Sequence, residues 1–232
     1  MESIKEYNLD VPQNLAGITL RQYQQWMKIL TKYQEDKRED DNYLKIKMLQ
    51  VFCNLSIEDT YDIPLHAFDY VINHLNELFD TEHKLIQRFP LKSAEGKEYE
   101  FGFIPNLDKM SFGEYVDIDT YINDNTQLHK AMAVLFRPIS NTIGETYKIQ
   151  KYKGSDKFSE AMLDTPVNIA LGAINFILRL QNELAKATLA SSQKTVMLEL
   201  EQAHKQTSEE SMAGFSQFTL WLKKMQLKSM MQ

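Results

Sequence analysis

The sequence predicts a mainly α-helical protein with a small β-hairpin element and a C-terminal amphipathic helix, and three observations lead to this fold class. The 232 residues contain six prolines and eight glycines, which is few for a fold built from many tight turns. Two capping boxes mark helix starts, Thr19-Leu20-Arg21-Gln22 and Ser111-Phe112-Gly113-Glu114. Clear two-residue alternation is confined to one stretch, Glu98 to Phe103.

Apolar spacing places six helices before the polar segment that begins at Ser191. In each of them apolar residues recur three or four positions apart and so share one face. The predicted bounds are about 20–33, 43–53, 65–79, 111–122 and 126–137, followed by a long helix that opens at Thr165-Pro166. Thr suits an N-cap and Pro the first turn of a helix, and Pro138 is expected to end the helix before it.

The predicted β element surrounds a glycine-containing loop. Residues 88–91 and 98–103 flank the loop 93–97, which suits a hairpin. Tyr99, Phe101 and Phe103 alternate along the second arm and give it one apolar face. An isolated hairpin is marginally stable in water, so this face is expected to pack on helices. A further short strand is possible over 147–152.

Composition divides the chain into two predicted parts. Residues 1–187 form a mainly helical body with the hairpin near 88–103, and residues 188–232 form a polar helical spacer followed by an amphipathic docking helix. The last helix of the body is polar on only about 100° of its circumference, which is typical of a helix inside a core or under neighbouring subunits. Within it we expect Ile174, Ile177 and Leu178 to be buried, and Asn175 and Arg179 less so.

The C-terminal segment carries an apolar stripe of its own. Four residues lie within about 80° of one helical face, with Trp221 at its border; they are Phe215, Phe218, Leu222 and Met225. Covering each such side chain is worth about 1.5–3 kcal/mol, so the stripe is expected to be buried. Either it folds back on its own body or it docks into a groove on another subunit or an assembly partner, and these five residues are the predicted partner-binding site.

Charge and cysteine usage exclude several classes of protein. The chain has 32 acidic and 26 basic residues, and the basic ones are scattered apart from Lys223, Lys224 and Lys228, so no nucleic-acid footprint is expected. A single cysteine, Cys53 in an apolar run, predicts a buried structural thiol in the reducing cytosol. The N-terminus does not resemble a signal peptide, and the most apolar stretch, 167–180, is shorter than the roughly 20 residues of a membrane span. We therefore expect a soluble protein without a membrane partner.

The patterns of site chemistry are weak throughout the sequence. No two glycines lie closer than six residues apart, so a phosphate-binding loop is not expected. Asp117 and Asp119 fall inside a predicted helix and are interpreted as a solvated acidic face rather than a metal site. His129 is expected at the edge of the core, with Lys130 and Arg137 facing outward together as a basic surface pair. The sequence therefore predicts no catalytic residues, no cofactor and no metal, and an enzyme is the least favoured class.

Three blocks in the middle of the chain form a distinctive pattern, Phe101 to Asp108, Phe112 to Tyr115 and His129 to Ile139, and the segments Ile18 to Tyr23 and Gly172 to Phe176 also fit it. This pattern resembles a virion-morphogenesis protein family of tailed bacteriophages, including crAss-like phages, that is sometimes compared with tail assembly chaperones. The resemblance spans residues 18–184 and brings no catalytic residues. It implies a non-enzymatic assembly factor that binds tail, portal or capsid proteins, or itself, in the host cytoplasm. The alternative is a permanent structural component of the virion.

Overall fold

The computed structural model describes residues 9–93 and 95–203 and is 57% helical, with eight α-helices and a four-stranded antiparallel sheet among these residues. The helices are α1 (Leu20–Glu35), α2 (Asp41–Phe52), α3 (Ile57–Asp62), α4 (Leu65–Phe79), α5 (Phe112–Ile122), α6 (Leu128–Leu135), α7 (Asp156–Met162) and α8 (Val167–Ala203). The strands are β1 (Arg88–Lys92), β2 (Glu98–Phe103), β3 (Phe136–Ile143) and β4 (Thr146–Ile149). Two compact units divide the chain after Ile174. The first holds α1–α7, the sheet and the start of α8, and the described part of the second is the rest of α8.

A helical core forms where α1, α2 and α4 meet. Thr19 opens α1 with the predicted capping box: its hydroxyl accepts a hydrogen bond from Gln22 N at 3.2 Å, and Gln22 Oε1 accepts one from Thr19 N at 3.0 Å. Phe52 of α2 is buried, and its ring centroid lies 6.0 Å from that of Trp26 and 5.3 Å from that of Phe79. Aromatic rings from all three helices thus hold this core together in the tilted geometry that such rings favour.

Cys53 follows α2 in the same core, where it is 3% exposed. Burial, together with the nearby carboxylate of Asp10, raises the pKa of the Cys53 thiol to about 11. The thiol is therefore protonated at neutral pH, and a protonated thiol is a poor nucleophile. The expectation of a buried cysteine is confirmed.

The predicted hairpin is present and forms half of the sheet, whose strand order is β1-β2-β3-β4. Phe89 of β1 pairs with Phe101 of β2, and their rings share the apolar face. The ring of Phe101 lies edge-on to Phe158 of α7 at 5.4 Å, and that of Phe89 lies edge-on to Phe136 of β3 at 5.1 Å. The hairpin therefore packs on a helix, as expected, and also on a second hairpin that the sequence interpretation missed.

The helix expected over 126–137 is shorter, and the prediction that Pro138 ends it is wrong. Helix α6 ends at Leu135, and Phe136 begins β3, in which Pro138 pairs with Phe101. A two-residue loop connects β3 to β4, and its first residue, Gly144, has a φ of +60°. Glycine at the first loop position is typical of the hairpin turns whose twist matches that of the strands. Pairing with β2 thus overrides a helical periodicity that continues two residues past the end of α6.

Other differences from the predicted elements are small. Helices α3 and α7 have six and seven residues, too few to repeat a helical pattern, and the sequence interpretation missed both. The short strand expected over 147–152 is β4, which begins one residue earlier and ends at Ile149. The helix predicted over 65–79 has the bounds of α4.

Tyr147 of β4 lies across the sheet and fixes β4 relative to β2. Its hydroxyl donates a hydrogen bond to the carbonyl oxygen of Phe103 at 2.9 Å. The guanidinium of Arg88 lies 5.4 Å from the centre of its ring. A Cβ atom on Gly102 would lie 2.5 Å from the ring edge, so the close approach of Tyr147 requires glycine at this position.

The starts of α1 and α8 are joined by a short antiparallel bridge between Thr19 and Pro166. Val167 N donates to Ile18 O at 2.8 Å, and Leu20 N donates to Thr165 O at 2.8 Å. Because Pro166 takes part in this bridge, α8 begins at Val167, slightly later than the Thr165-Pro166 signal predicts. The two longest helices of the described residues thus begin side by side at this bridge.

Burial along α8 agrees only in part with the prediction. Ala170, Ala173 and Ile177 form a buried stripe with spacings of three and four residues. Ile174 is half-buried, and Leu178 is 41% exposed, so the expectation that both are buried is wrong. The apolar residues of α8 therefore extend around more of the helix than the face that is buried. Within the described residues, no helix is both long enough and apolar enough to cross a membrane.

We predict that Gly172→Ala destabilises the fold by about 1–3 kcal/mol, the usual cost of overpacking. A Cβ at Gly172 would overlap the carbonyl oxygen of Lys84 and lie 2.8 Å from its carbonyl carbon, and backbone atoms cannot move aside easily. The measurement is urea unfolding at equilibrium. The matched control is Gly113→Ala in α5, where a Cβ meets no atom within 4 Å and should stabilise the helix by about 0.5–1 kcal/mol. Equal effects of the two substitutions would contradict the close approach at Gly172.

Candidate functional site: helix α5 and its buried ion pair

Helix α5 begins at the second predicted capping box, which is confirmed. Ser111 Oγ accepts a hydrogen bond from Glu114 N at 3.3 Å, and Glu114 Oε2 accepts hydrogen bonds from Ser111 N and Oγ at 2.7 and 2.6 Å. Ile118 and Ile122 follow Glu114 at four-residue spacing and are buried. Glu114 therefore caps the start of α5 and also belongs to its buried inner face.

Glu114 also forms a buried ion pair with Arg137 of β3. Their side chains are 8% and 9% exposed, and Arg137 Nη2 lies 2.5 Å from Glu114 Oε1. The prediction that Arg137 faces outward beside Lys130 is wrong, because Arg137 belongs to a strand and its direction follows the two-residue alternation of the sheet. Removing one partner of such a pair leaves an uncompensated buried charge, which is strongly destabilising. The pair therefore fixes α5 against β3.

A second polar contact holds the middle of α5. The hydroxyl of Tyr152 donates a short hydrogen bond to the carboxylate of Asp117. Burial and this neighbouring carboxylate both raise the pKa of Tyr152 above its usual value. The guanidinium carbon of Arg137 lies 5.6 Å from the centre of the Tyr152 ring. Asp117 is thus half-buried and engaged within the protein, and its interpretation as part of a solvated acidic face is wrong.

The outer face of α5 is apolar. Phe112 is 77% exposed and Val116 is 40% exposed, one turn apart on the same side of the helix. Gly113 lies beside them, and a Cβ at that position would meet open space. Glycine in a helix costs about 0.5–1 kcal/mol relative to alanine, and no described contact requires it here. We call Phe112, Gly113, Val116 and the exposed Thr120 the α5 surface.

His129 links α6 to α1 through Gln24. His129 Nδ1 lies 3.1 Å from Gln24 Oε1, and Gln24 Nε2 donates a hydrogen bond to Asn125 O at 3.1 Å. Gln24 is 3% exposed, so both of its polar atoms find partners where water cannot reach them. Burial, with Lys130 nearby, lowers the pKa of His129. The expected position of His129 at the edge of the core is confirmed by its partial burial.

The structure places the remaining predicted residues as follows. The predicted partner-binding residues Phe215, Phe218, Trp221, Leu222 and Met225 lie outside the described residues. Within 9–93 and 95–203, no group of three or more His, Cys, Asp or Glu side chains is arranged to hold a metal ion. The sequence analysis missed the α5 surface, because it considered Phe112 and Gly113 as part of a capping box and of a similar block, and neither reveals which side of the helix is exposed.

We predict that Arg137→Met lowers the free energy of unfolding by about 3–5 kcal/mol, because it leaves the Glu114 carboxylate buried without a partner. Glu114→Gln removes the charge and keeps the capping box, since glutamine also serves at this position. The double variant should therefore lose less than the sum of the two single variants, with a coupling of about 0.5–3 kcal/mol in urea unfolding. Additive losses would show that the two side chains are not coupled.

We predict that His129 makes the fold less stable as the pH falls below about 6.5. Its pKa is lower in the folded state, so the unfolded chain takes up the proton first and gains stability over the folded one. This loss begins near the unfolded pKa and is complete once the pH falls below the folded pKa. His129→Asn, which keeps a donor towards Gln24, should reduce the change in urea midpoint between pH 7.5 and pH 5.5. The control is His66→Asn at an exposed position of α4, and equal pH dependence in the two variants would contradict the prediction.

Comparison with known proteins gives no match to this chain among family models, curated proteins or solved structures.

Proposed function

We propose that this protein is a non-enzymatic morphogenesis protein of a tailed bacteriophage, which acts in the host cytoplasm as an assembly factor or chaperone for tail or portal-region components. One observation carries the proposal: the α5 surface presents Phe112 and Val116 to solvent on a helix whose inner face is held by a buried ion pair. A rigid helix with an apolar outer face suits binding to another protein.

The energetics of the α5 surface favour such binding. Covering a phenylalanine or valine side chain contributes about 1.5–3 kcal/mol. Glu114 and Asp117 fix the helix from beneath, so binding costs little ordering of the backbone. Gly113 lets a partner approach the helix backbone closely, which gives a reason for glycine at an exposed helical position.

The phage context rests on the resemblance of three sequence blocks, and their positions support treating them together. The block 101–108 includes the end of β2, the block 112–115 opens α5, and the block 129–139 covers most of α6 and the start of β3. Glu114 and Arg137, the two ends of the buried ion pair, come from two different blocks. Two of the three similar blocks therefore supply the ion pair that fixes α5, and one of them opens the helix.

A second candidate function is a permanent structural component of the virion. It is favoured by Phe176 and Leu178 of α8, which are 36% and 41% exposed. Wide apolar exposure on a long helix is what subunit packing inside a ring or shell would cover. Mass spectrometry of purified particles separates the two candidates, because a chaperone leaves the finished particle and a structural component remains in it.

We predict that the double substitution Phe112→Asp and Val116→Asp abolishes function without unfolding the protein, since both side chains are exposed. The test is complementation of a phage that lacks this gene, with particle yield as the readout and urea unfolding as a check of folding. Yield should fall by about tenfold or more, because a charged side chain cannot be buried in an apolar interface without a large penalty. The matched control is Ile143→Asp, an exposed apolar residue of β3. A folded α5 double variant with normal yield would overturn the proposed function.

A further inference from the structure

The α5 surface consists of a raised row of side chains beside a notch. Phe112, Val116 and Thr120 follow one another at four-residue spacing, all three are exposed, and together they form a ridge along the helix. Gly113 belongs to the neighbouring row, and a Cβ atom at this position would meet nothing within 4 Å. Because glycine has no side chain, this position is a notch beside the ridge. The α5 surface therefore offers both a ridge and a groove to a partner.

Both ends of the ridge are held by contacts within α5. The ring centroid of Phe112 lies 6.3 Å from that of Tyr115, which is half-buried. The hydroxyl of Thr120 donates a hydrogen bond to the carbonyl oxygen of Val116 at 2.8 Å. Side chains that are already ordered lose little conformational freedom when a partner binds, so the ridge is prepared for binding.

A helix is the element that fits a ridge and groove of this kind. Ridges at four-residue spacing pack into the equivalent grooves of a second helix, and this is the commonest class of helix packing in globular proteins. The axes of two packed helices lie about 8–10 Å apart, depending on the side chains between them, so Gly113 allows a close approach. A strand would instead pair with the free backbone groups of a sheet edge. The shape of the α5 surface therefore favours a helical partner.

Both borders of the α5 surface are acidic. At about 100° per residue its four residues span about 100°, and Asp119 and Asp117 lie about 20° and 40° beyond its two limits. Asp117 accepts a hydrogen bond from the Tyr152 hydroxyl, which leaves the negative charge of the carboxylate in place. Helix α5 contains no lysine or arginine, and its third acidic residue, Glu114, is already paired with Arg137. The partner therefore meets an apolar centre with a carboxylate on each side.

We propose that the α5 surface binds an amphipathic helix of another protein, whose apolar stripe packs over Val116 and Gly113 and is flanked on both sides by lysine or arginine. Charge complementarity places these basic residues opposite Asp117 and Asp119. A second copy of α5 does not fit, because it would bring two further aspartates and no basic residue to the contact. This inference rests on the proposed function, since it names the chemistry of the partner at the same surface.

The first experiment tests the sign of the charge with two substitutions at one position. Thr120 is exposed and lies between the two acidic borders, so Thr120→Lys and Thr120→Glu add opposite charges to the α5 surface. In complementation of a phage that lacks this gene, Thr120→Lys should give a particle yield about tenfold or more below that of Thr120→Glu, because like charges then meet across the interface. Helix stability cannot produce this order, since lysine is favoured over glutamate near the C-terminal end of a helix.

The matched control is the same pair of substitutions at Thr142, an exposed residue of β3, where the two variants should give equal yields. Equal yields of the two Thr120 variants, or a lower yield for Thr120→Glu, would overturn the inference. The proposed function would survive that result, because it depends on the double variant Phe112→Asp and Val116→Asp. Normal yield in the folded double variant would overturn the proposed function and this inference together.

The second experiment identifies the partner segment. The photoreactive amino acid p-benzoylphenylalanine replaces Phe112 in the full chain, which keeps an aromatic ring at the start of the ridge. Cells that assemble particles are irradiated, and mass spectrometry locates the residue to which the chain becomes attached. We expect a segment with apolar residues at helical spacing and basic residues on both sides, and about tenfold less attachment when Thr120→Lys is added. Attachment to an acidic or extended segment, to any copy of this chain, or to no protein would overturn the inference.

Discussion

The packing of α5 against the sheet depends on one buried ion pair, between Glu114 and Arg137. A carboxylate and a guanidinium that are each about nine-tenths buried can be accommodated only in contact, so α5 and β3 have one way to pack. The same carboxylate closes the capping box at Ser111, which ties the first residue of the helix to the register of the strand. These contacts hold the inner face of α5 against the protein. Phe112 lies on the opposite face and is therefore directed towards solvent.

Helix α5 and the pair of helices α3 and α4 are supported by different physical means. Under α5 the support is polar and specific, with a charged pair and a tyrosine hydrogen bond. Under α3 and α4 it is apolar, through Ile63, Val71 and the aromatic rings around Phe52. A polar support fixes geometry at a cost in desolvation, whereas an apolar support contributes most of its free energy through burial.

Local signals predicted much of the fold, and non-local contacts account for the errors. The bounds of α4, both capping boxes and the hairpin at 88–103 depend on residues within a few positions of one another. Strand β3 depends on pairing with β2, more than 30 residues away, so the periodicity of α6 was extended into it. The β-branched residues around Gly144 were the available signal for that second hairpin. The spacing of Glu114 and Arg137 in the sequence does not indicate that they form an ion pair. The exposure of Phe112 became clear only once the structure showed which face of α5 is buried.

The solitary thiol of Cys53 has a consequence for following this protein in solution. Alkylating reagents attack the thiolate, and Cys53 is both buried and predominantly protonated near neutral pH. Modification therefore requires the core of α1, α2 and α4 to open, and its rate reports the free energy of that opening when closing is fast. Because the chain contains one cysteine, the signal comes from a single position without mutation. Cys53 is thus an intrinsic reporter of local unfolding in this helical core.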